Sequence, residues 1–185
     1  MKNIYVLLAN GFEEIEALTP VDVLRRVDLN VILTSTSGKL DVVGAHNITV
    51  KCDKLIEDIV FDNKSMIILP GGMPGTSNLF ENELVKNAIT LLNEKELPIA
   101  AICAAPMILG EMGFLVGKKA TCFPGFEKYL TGSIKSNNLV ETDGNIITAR
   151  GMGVAMDFSL EIVKYLLGEE KMRQIAKAMI VEKYL

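Results

Sequence analysis

Along this chain, runs of consecutive apolar residues alternate with stretches whose apolar positions recur every three or four residues. Lys2–Leu8 is apolar and β-branched, and stops at Asn10-Gly11, a turn pair. Ile15–Val27 carries Leu18, Val21 and Leu24 at helical spacing, with Arg25 and Arg26 near its end. Asn30–Ser35 predicts a strand, Val42–Val50 a pair of strands around Gly44, and Met66–Leu69 a strand halted by Pro70-Gly71-Gly72. Glu83–Glu94 predicts a helix with Leu84, Ala88, Leu91 and Leu92 facing inward. Ile99–Ile102 predicts a strand and Ala104–Met112 a short helix closed by Gly113. A strand over Lys119–Cys122 follows, and Asn138–Glu141 and Asn145–Thr148 flank Asp143-Gly144, a hairpin signal. Val154–Leu167, capped by Gly168, and about Glu169–Ala178 predict the closing helices.

Fully apolar strands separated by helices are strands buried on both faces. That is the pattern of a mainly parallel sheet between helical layers, an α/β sandwich. No repeat, low-complexity segment or linker interrupts it, so residues 1–185 are expected to form one domain. In open parallel sheets, ligands bind beyond the carboxyl ends of the strands. Three segments fall there: Asn10–Glu16, Pro70–Gly75 and Cys103–Pro106.

Composition narrows the function classes. A chain of 185 residues, 49% hydrophobic and 23% charged, can bury a sizeable core. Its net charge is −4, and no Lys/Arg run exceeds two residues. It therefore lacks the basic footprint of a nucleic-acid binder. No apolar run approaches the ~20 residues of a membrane span. The start, MKNIYVLLANGFEE, is too short in apolar residues for a secretory leader. Three cysteines, Cys52, Cys103 and Cys122, do not suggest a disulfide framework, so a reducing, cytoplasmic setting is expected. The single histidine, His46, rules out a multi-histidine metal site.

The strand Ile99–Ile102 runs directly into Cys103, then Ala104-Ala105-Pro106. Small neighbours permit a sharp strand-to-helix turn of the nucleophile-elbow kind, and a helix start favours a thiolate. A buried core cysteine is the competing reading. Pro106 suits a first helical turn, which places Cys103 just ahead of the helix and favours the reactive one. Cys52, in Lys51-Cys52-Asp53-Lys54, reads as a surface or half-buried thiol, and Cys122 as core. His46 reads as a turn residue. Glu13, Glu14 and Glu16 read as dipole complements of a first helical turn.

Taken together, Glu13-Glu14-Ile15-Glu16, Pro20-Val21-Asp22-Val23-Leu24-Arg25-Arg26, Leu69-Pro70-Gly71-Gly72, Ala100-Ala101-Ile102-Cys103-Ala104 and Ala149-Arg150-Gly151 resemble the ThiJ/PfpI superfamily. The resemblance runs nearly end to end and is nearest to the branch of the parkinsonism-associated protein deglycase and its bacterial relatives. It implies a flavodoxin-like sandwich and a homodimer. By motif, Cys103 is the elbow cysteine and Glu16 the carboxyl group that touches its sulfur. Gly71, Gly72 and the Ala104 amide would form an oxyanion pocket. His46 would approach the elbow of the other subunit, with Asp22 as its supporting partner. Ala104 stands where protease-like members carry histidine, and Phe123 where the human-type protein does, which argues against peptidase chemistry.

The resemblance implies a cofactor-independent glyoxalase or deglycase acting on methylglyoxal or early glycation adducts, with no metal. The expected resting state is a Cys103 thiolate beside a protonated Glu16. The alternative is a redox-sensing or chaperone-like stress protein using the same oxidisable cysteine. A thiazole-monophosphate kinase role has no nucleotide-binding motif behind it.

Overall fold

The computed structural model describes residues 3–181. In chain order the elements are β1 (Asn3–Leu8), α1 (Glu14–Arg25), β2 (Asn30–Ser35), β3 (Asp41–Val43), β4 (Thr49–Lys51) and β5 (Lys54–Leu55). Then come β6 (Ser65–Leu69), α2 (Gly75–Glu81), α3 (Glu83–Glu94), β7 (Ile99–Ile102) and α4 (Pro106–Glu111). The chain closes with β8 (Lys119–Ala120), β9 (Ile134–Lys135), β10 (Val140–Asp143), β11 (Ile146–Ala149), α5 (Ala155–Leu167) and α6 (Glu169–Ala178).

Seven strands form the central sheet in the order β10-β11-β7-β6-β1-β2-β5. All neighbours run parallel except the edge hairpin β10–β11. The two-residue alternation of a strand divides the core. Ile4, Val6, Leu8, Met66, Ile68, Ala100 and Ile102 pack on one face with Val21 and Leu24 of α1 and Phe158 and Ile162 of α5. Tyr5, Leu7, Ile67, Leu69, Ile99 and Ala101 pack on the other with Ile89 and Leu92 of α3 and Ile108 of α4. This is the expected three-layer α/β sandwich.

Details depart from the sequence reading. On α3 the buried positions are Val85, Ala88, Ile89 and Leu92, while Leu84 is exposed. The helix keeps the expected bounds, with Asn82 capping it by accepting from the amides of Leu84 and Val85. The strand expected over Lys119–Cys122 pairs only at Lys119–Ala120, since the Thr121 amide turns to the Thr148 hydroxyl. Cys52 is buried rather than half-exposed, because the β3–β4 hairpin folds it with Val42 into the core. Cys122 is buried as expected. Among the described residues, no helix is long and apolar enough to cross a membrane.

Candidate active site at the carboxyl edge of the sheet

The ends of β1, β6, β7 and β11 meet where α1 begins. β6 stops at Pro70-Gly71-Gly72, and Gly71 is required by close approach. A Cβ there would lie 2.7 Å from the Cβ of Cys103 and 2.7 Å from Oε2 of Glu16. Two hydrogen bonds clasp this turn to α1. The Glu13 amide donates to the Gly71 carbonyl at 2.9 Å, and the Gly71 amide donates to Glu16 Oε2 at 2.9 Å.

Cys103 follows β7 in the left-handed region, with φ +65°. Such a conformation costs a non-glycine residue on the order of 1–3 kcal/mol and persists where the surroundings fix it. Here its amide donates to the Ala149 carbonyl at 2.9 Å, and its carbonyl accepts from Phe123 at 2.8 Å. The elbow is thus bolted to β11 on one side and to the segment after β8 on the other. Cys103 is buried, at 7% exposure.

Glu16, in the first turn of α1, is fully buried. Its Oε1 has no hydrogen-bonding nitrogen or oxygen among the described residues. Burial pushes its carboxyl group up to about 7, against the lowering effects of the Cys103 thiol and the Gly71 amide. Beside an ionised Glu16, burial and the carboxylate charge push the Cys103 thiol up as well, to about 12. The amides of Ala104 and Gly72 act in the opposite direction on the sulfur. A proton on Glu16 would remove the repulsion and offer a donor to the sulfur, so the two groups titrate as a pair. The thiol is therefore not lowered by its surroundings alone, as the sequence suggested; its ionisation is tied to the proton on Glu16.

The structure brings Cys103, Glu16, Gly71, Gly72 and Ala104 together. Of the two glycines, Gly72 directs its amide at sulfur, while that of Gly71 is taken by Glu16. Within one chain, His46 and Asp22 lie apart from this group, as a reach of His46 toward the other subunit's elbow would require of His46. Asp22 pairs with Arg26 at 2.7 Å on the exposed face of α1. His46 lies within its own chain's reach of Glu14, Nδ1 to Oε2 2.8 Å, and its backbone amide donates to Glu14 Oε1 at 2.8 Å. Those hydrogen bonds outweigh the effect of burial and hold Glu14 below the usual carboxyl range. The same hydrogen bond, with the charges of Glu13 and Glu14, raises the His46 imidazole.

Sequence reasoning did not find the role of Glu14 as the tie between α1 and the β3–β4 hairpin. Gly44 was its signal, since a Cβ there would collide with the Glu14 carboxyl group. It named Gly151 in a motif without a role; its Cβ position lies 3.1 Å from the Phe123 ring and 3.9 Å from Glu16 Oε1. A recess of about 240 Å³ beside it is lined by Phe123, Leu139, Arg150, Gly151 and Met152, among others.

An α/β sandwich whose parallel strands end on a strained cysteine and a buried glutamate defines a class of elbow-cysteine proteins. Residues 2–165 match the DJ-1/PfpI family, and the chain belongs to it. The Parkinson disease protein 7 homolog of Danio rerio is 35% identical, with 98% of each chain covered. Protein DJ-1 homolog B of Arabidopsis thaliana is 37% identical over 96% of this chain but only 41% of its own length. The chain thus spans less than half of that relative. The oxidized DJ-1 structure from Toxoplasma gondii superposes with a TM-score of 0.92 at 29% identity, covering 97% of this chain and 98% of that one.

Proposed function

We propose that the protein is a cofactor-independent glyoxalase or deglycase acting on methylglyoxal or early glycation adducts. One observation supports this most: a left-handed, backbone-pinned Cys103 against a buried carboxyl group that is pushed up to about 7. A group that gains and loses a proton near neutral pH is suited to general acid–base work. The Cys103 sulfur attacks the aldehyde carbon, a C–S bond forms, and the aldehyde oxygen takes a proton to give a hemithioacetal. Glu16 then removes the proton from that carbon and returns it to the neighbouring ketone carbon, while the hemithioacetal hydroxyl proton passes to the ketone oxygen. The aldehyde carbon is thereby oxidised to a thioester while the ketone is reduced to an alcohol, with no external electron carrier. Water cleaves the C–S bond, releasing a 2-hydroxy acid such as lactate and the free thiol. The Gly72 and Ala104 amides, which point at the sulfur, would hold the oxyanion of the first step.

The test is a lactate assay on methylglyoxal with wild type and Cys103→Ser side by side. Steady production by the wild type, lost by a factor of roughly 10² or more in the variant, is expected for a step carried by the thiolate. Thiol modification without turnover would instead favour the redox-sensing or chaperone-like reading. The same buried pair supports that reading too, since a cysteine oxidised to the sulfinic acid could share a hydrogen bond with Glu16.

We further propose a homodimer and a cytoplasmic setting. Ile15 at the start of α1 and Val43 and Ile48 of the β3–β4 hairpin are exposed apolar residues around one edge. Analytical ultracentrifugation at micromolar concentration is expected to give twice the mass of the 20.2 kDa chain. Replacing Ile15 and Ile48 with aspartate should shift it to the single-chain mass. A monomeric wild type would overturn this part of the proposal.

A further inference from the structure

We infer that Thr148 is a positioning residue for the Ala104 amide, on the reading above that this amide holds the oxyanion. Thr148 is an unusual residue type for its place. β11 is buried along its length, and its other members, Ile146, Ile147 and Ala149, are apolar. Valine would fit the same shape, and a hydroxyl buried there is costly unless it is hydrogen-bonded. The Thr148 Oγ1 accepts from the Thr121 amide at 3.0 Å, with both residues buried. That bond also takes the chain off β8. The β8–β9 ladder ends where the Ala120 carbonyl accepts from the Ser136 amide at 2.8 Å, and the next amide turns to Thr148 instead.

From Thr121 the segment reaches Phe123, whose amide donates to the Cys103 carbonyl at 2.8 Å. The Cys103 carbonyl and the Ala104 N–H belong to one planar trans peptide unit and point in opposite directions. Holding the carbonyl toward Phe123 therefore turns the Ala104 N–H the other way, toward the sulfur, where it acts to lower the thiol.

The next residue of β11 completes the hold, since the Ala149 carbonyl accepts from the Cys103 amide at 2.9 Å. Thr148 and Ala149 pair with Ala101 and Ile102, which fixes β11 to the strand that leads into the elbow. β11 thus grips Cys103 from both ends. The Ala149 backbone holds the amide side, and the Thr148 side chain, through Thr121 and Phe123, holds the carbonyl side. A left-handed φ of +65° on a non-glycine residue persists only under such opposed restraints. In Thr148→Val the shape stays and the acceptor goes. The Thr121 amide, buried without a partner, must move to reach one. The segment shifts with it, and the peptide unit after Cys103 turns its N–H away from the sulfur.

The test compares Thr148→Val, Thr148→Ala and Thr148→Ser in two measurements. One is the rate of Cys103 alkylation by iodoacetamide against pH, read by mass spectrometry; the other is turnover of methylglyoxal. Thr148→Val and Thr148→Ala should both move the alkylation profile to higher pH, because a donor that lowers the thiol is lost. Both should lower kcat roughly tenfold or more, as misaimed oxyanion donors do. Thr148→Ser keeps the hydroxyl and should stay close to wild type in both. A purely structural role would rank the variants by volume lost, with valine nearest wild type, and that order would overturn the inference. So would an unmoved alkylation profile in folded Thr148→Val and Thr148→Ala. Alkylation needs no turnover, so a protein that leaves methylglyoxal untouched would defeat the proposed activity alone, while turnover with an unmoved profile would defeat the role of Thr148 alone. If the valine and alanine variants do not fold, amide hydrogen exchange in the wild type decides. The Thr121 and Phe123 amides should exchange slowly and in step, and free exchange at Thr121 would overturn the inference.

Discussion

Glu16→Gln is expected to make the protein more stable at pH 8 and nearly inactive. Burial raises the Glu16 carboxyl group from 4.5 in the unfolded chain to about 7 in the fold. Between those values the folded state binds a proton that the unfolded chain has released. The associated stability is fully present below pH 4.5 and is lost as pH rises through 7. The difference corresponds to roughly 3 kcal/mol between the two ends of that window. Glutamine has the shape of the carboxyl group without its charge, and its oxygen can still accept from the Gly71 amide. Its NH₂ falls where Glu16 Oε1 now lacks a partner. Urea unfolding should show a gain on the order of 1–3 kcal/mol at pH 8 and almost none at pH 5. In the same variant, turnover of methylglyoxal should fall ~10²–10⁴-fold, mostly in kcat, because an amide cannot accept and return a proton. Glu13→Gln, outside the thiol pair, should leave kcat nearly unchanged. Equal losses in both variants would remove Glu16 from the proposed proton shuttle, and an unchanged pH 8 stability would contradict its burial as a charge.

The acids of this cluster show where sequence reasoning stops. Glu13, Glu14 and Glu16 share a type, a turn and a surrounding of apolar residues, and as bare sequence all three read as dipole complements. Only the resemblance singled out Glu16. The fold separates them by contact: Glu16 to the Gly71 amide and Cys103, Glu14 to His46, Glu13 to neither amide nor thiol. Those partners come from segments 32 to 87 residues away, a distance that no local pattern encodes. The long elements were legible for the opposite reason. Ile99–Ile102 and Met66–Leu69 are uninterrupted apolar runs because both their faces are covered, and α5 and α6 keep their helical period throughout. The helix α2 was not legible. Gly75-Thr76-Ser77-Asn78 has poor helix propensity, and the helix is held from outside it, by the Thr76 amide on the Gly72 carbonyl and the Asn78 side chain on the Asn10 carbonyl. The two-residue strands β5, β8 and β9 carry too few residues for any period to register. Cys103 was legible because its turn needs small residues on one side and tolerates proline at the next helix start, a local demand written into consecutive positions. Its burial was not, since Gly71 and Phe123 approach from elsewhere.

Gly71→Ala should separate the thiol from the carboxyl group without touching either. The added methyl would sit 2.7 Å from the Cys103 Cβ, 2.7 Å from Glu16 Oε2 and 3.0 Å from the Ile102 carbonyl oxygen. Two of these cannot simply yield. The Cys103 backbone is pinned by Ala149 and Phe123, and the Ile102 carbonyl belongs to the sheet edge. The Glu16 side chain is the most mobile of the three, so it gives way, breaking its bond to the Gly71 amide. Overpacking of this kind costs about 1–3 kcal/mol. The loss of the amide also leaves a buried carboxyl group with one acceptor contact fewer, which raises Glu16 further and moves its titration above about 7. Turnover should therefore fall by a factor of roughly 10² or more at pH 7, with the loss in kcat rather than KM, since the displaced group is the proton shuttle and not a substrate contact. The pH–rate profile of kcat should shift to higher pH, a change that general destabilisation would not produce. A folded Gly71→Ala protein with wild-type kcat and an unmoved profile would show that contact between Glu16 and Cys103 is not what drives the reaction.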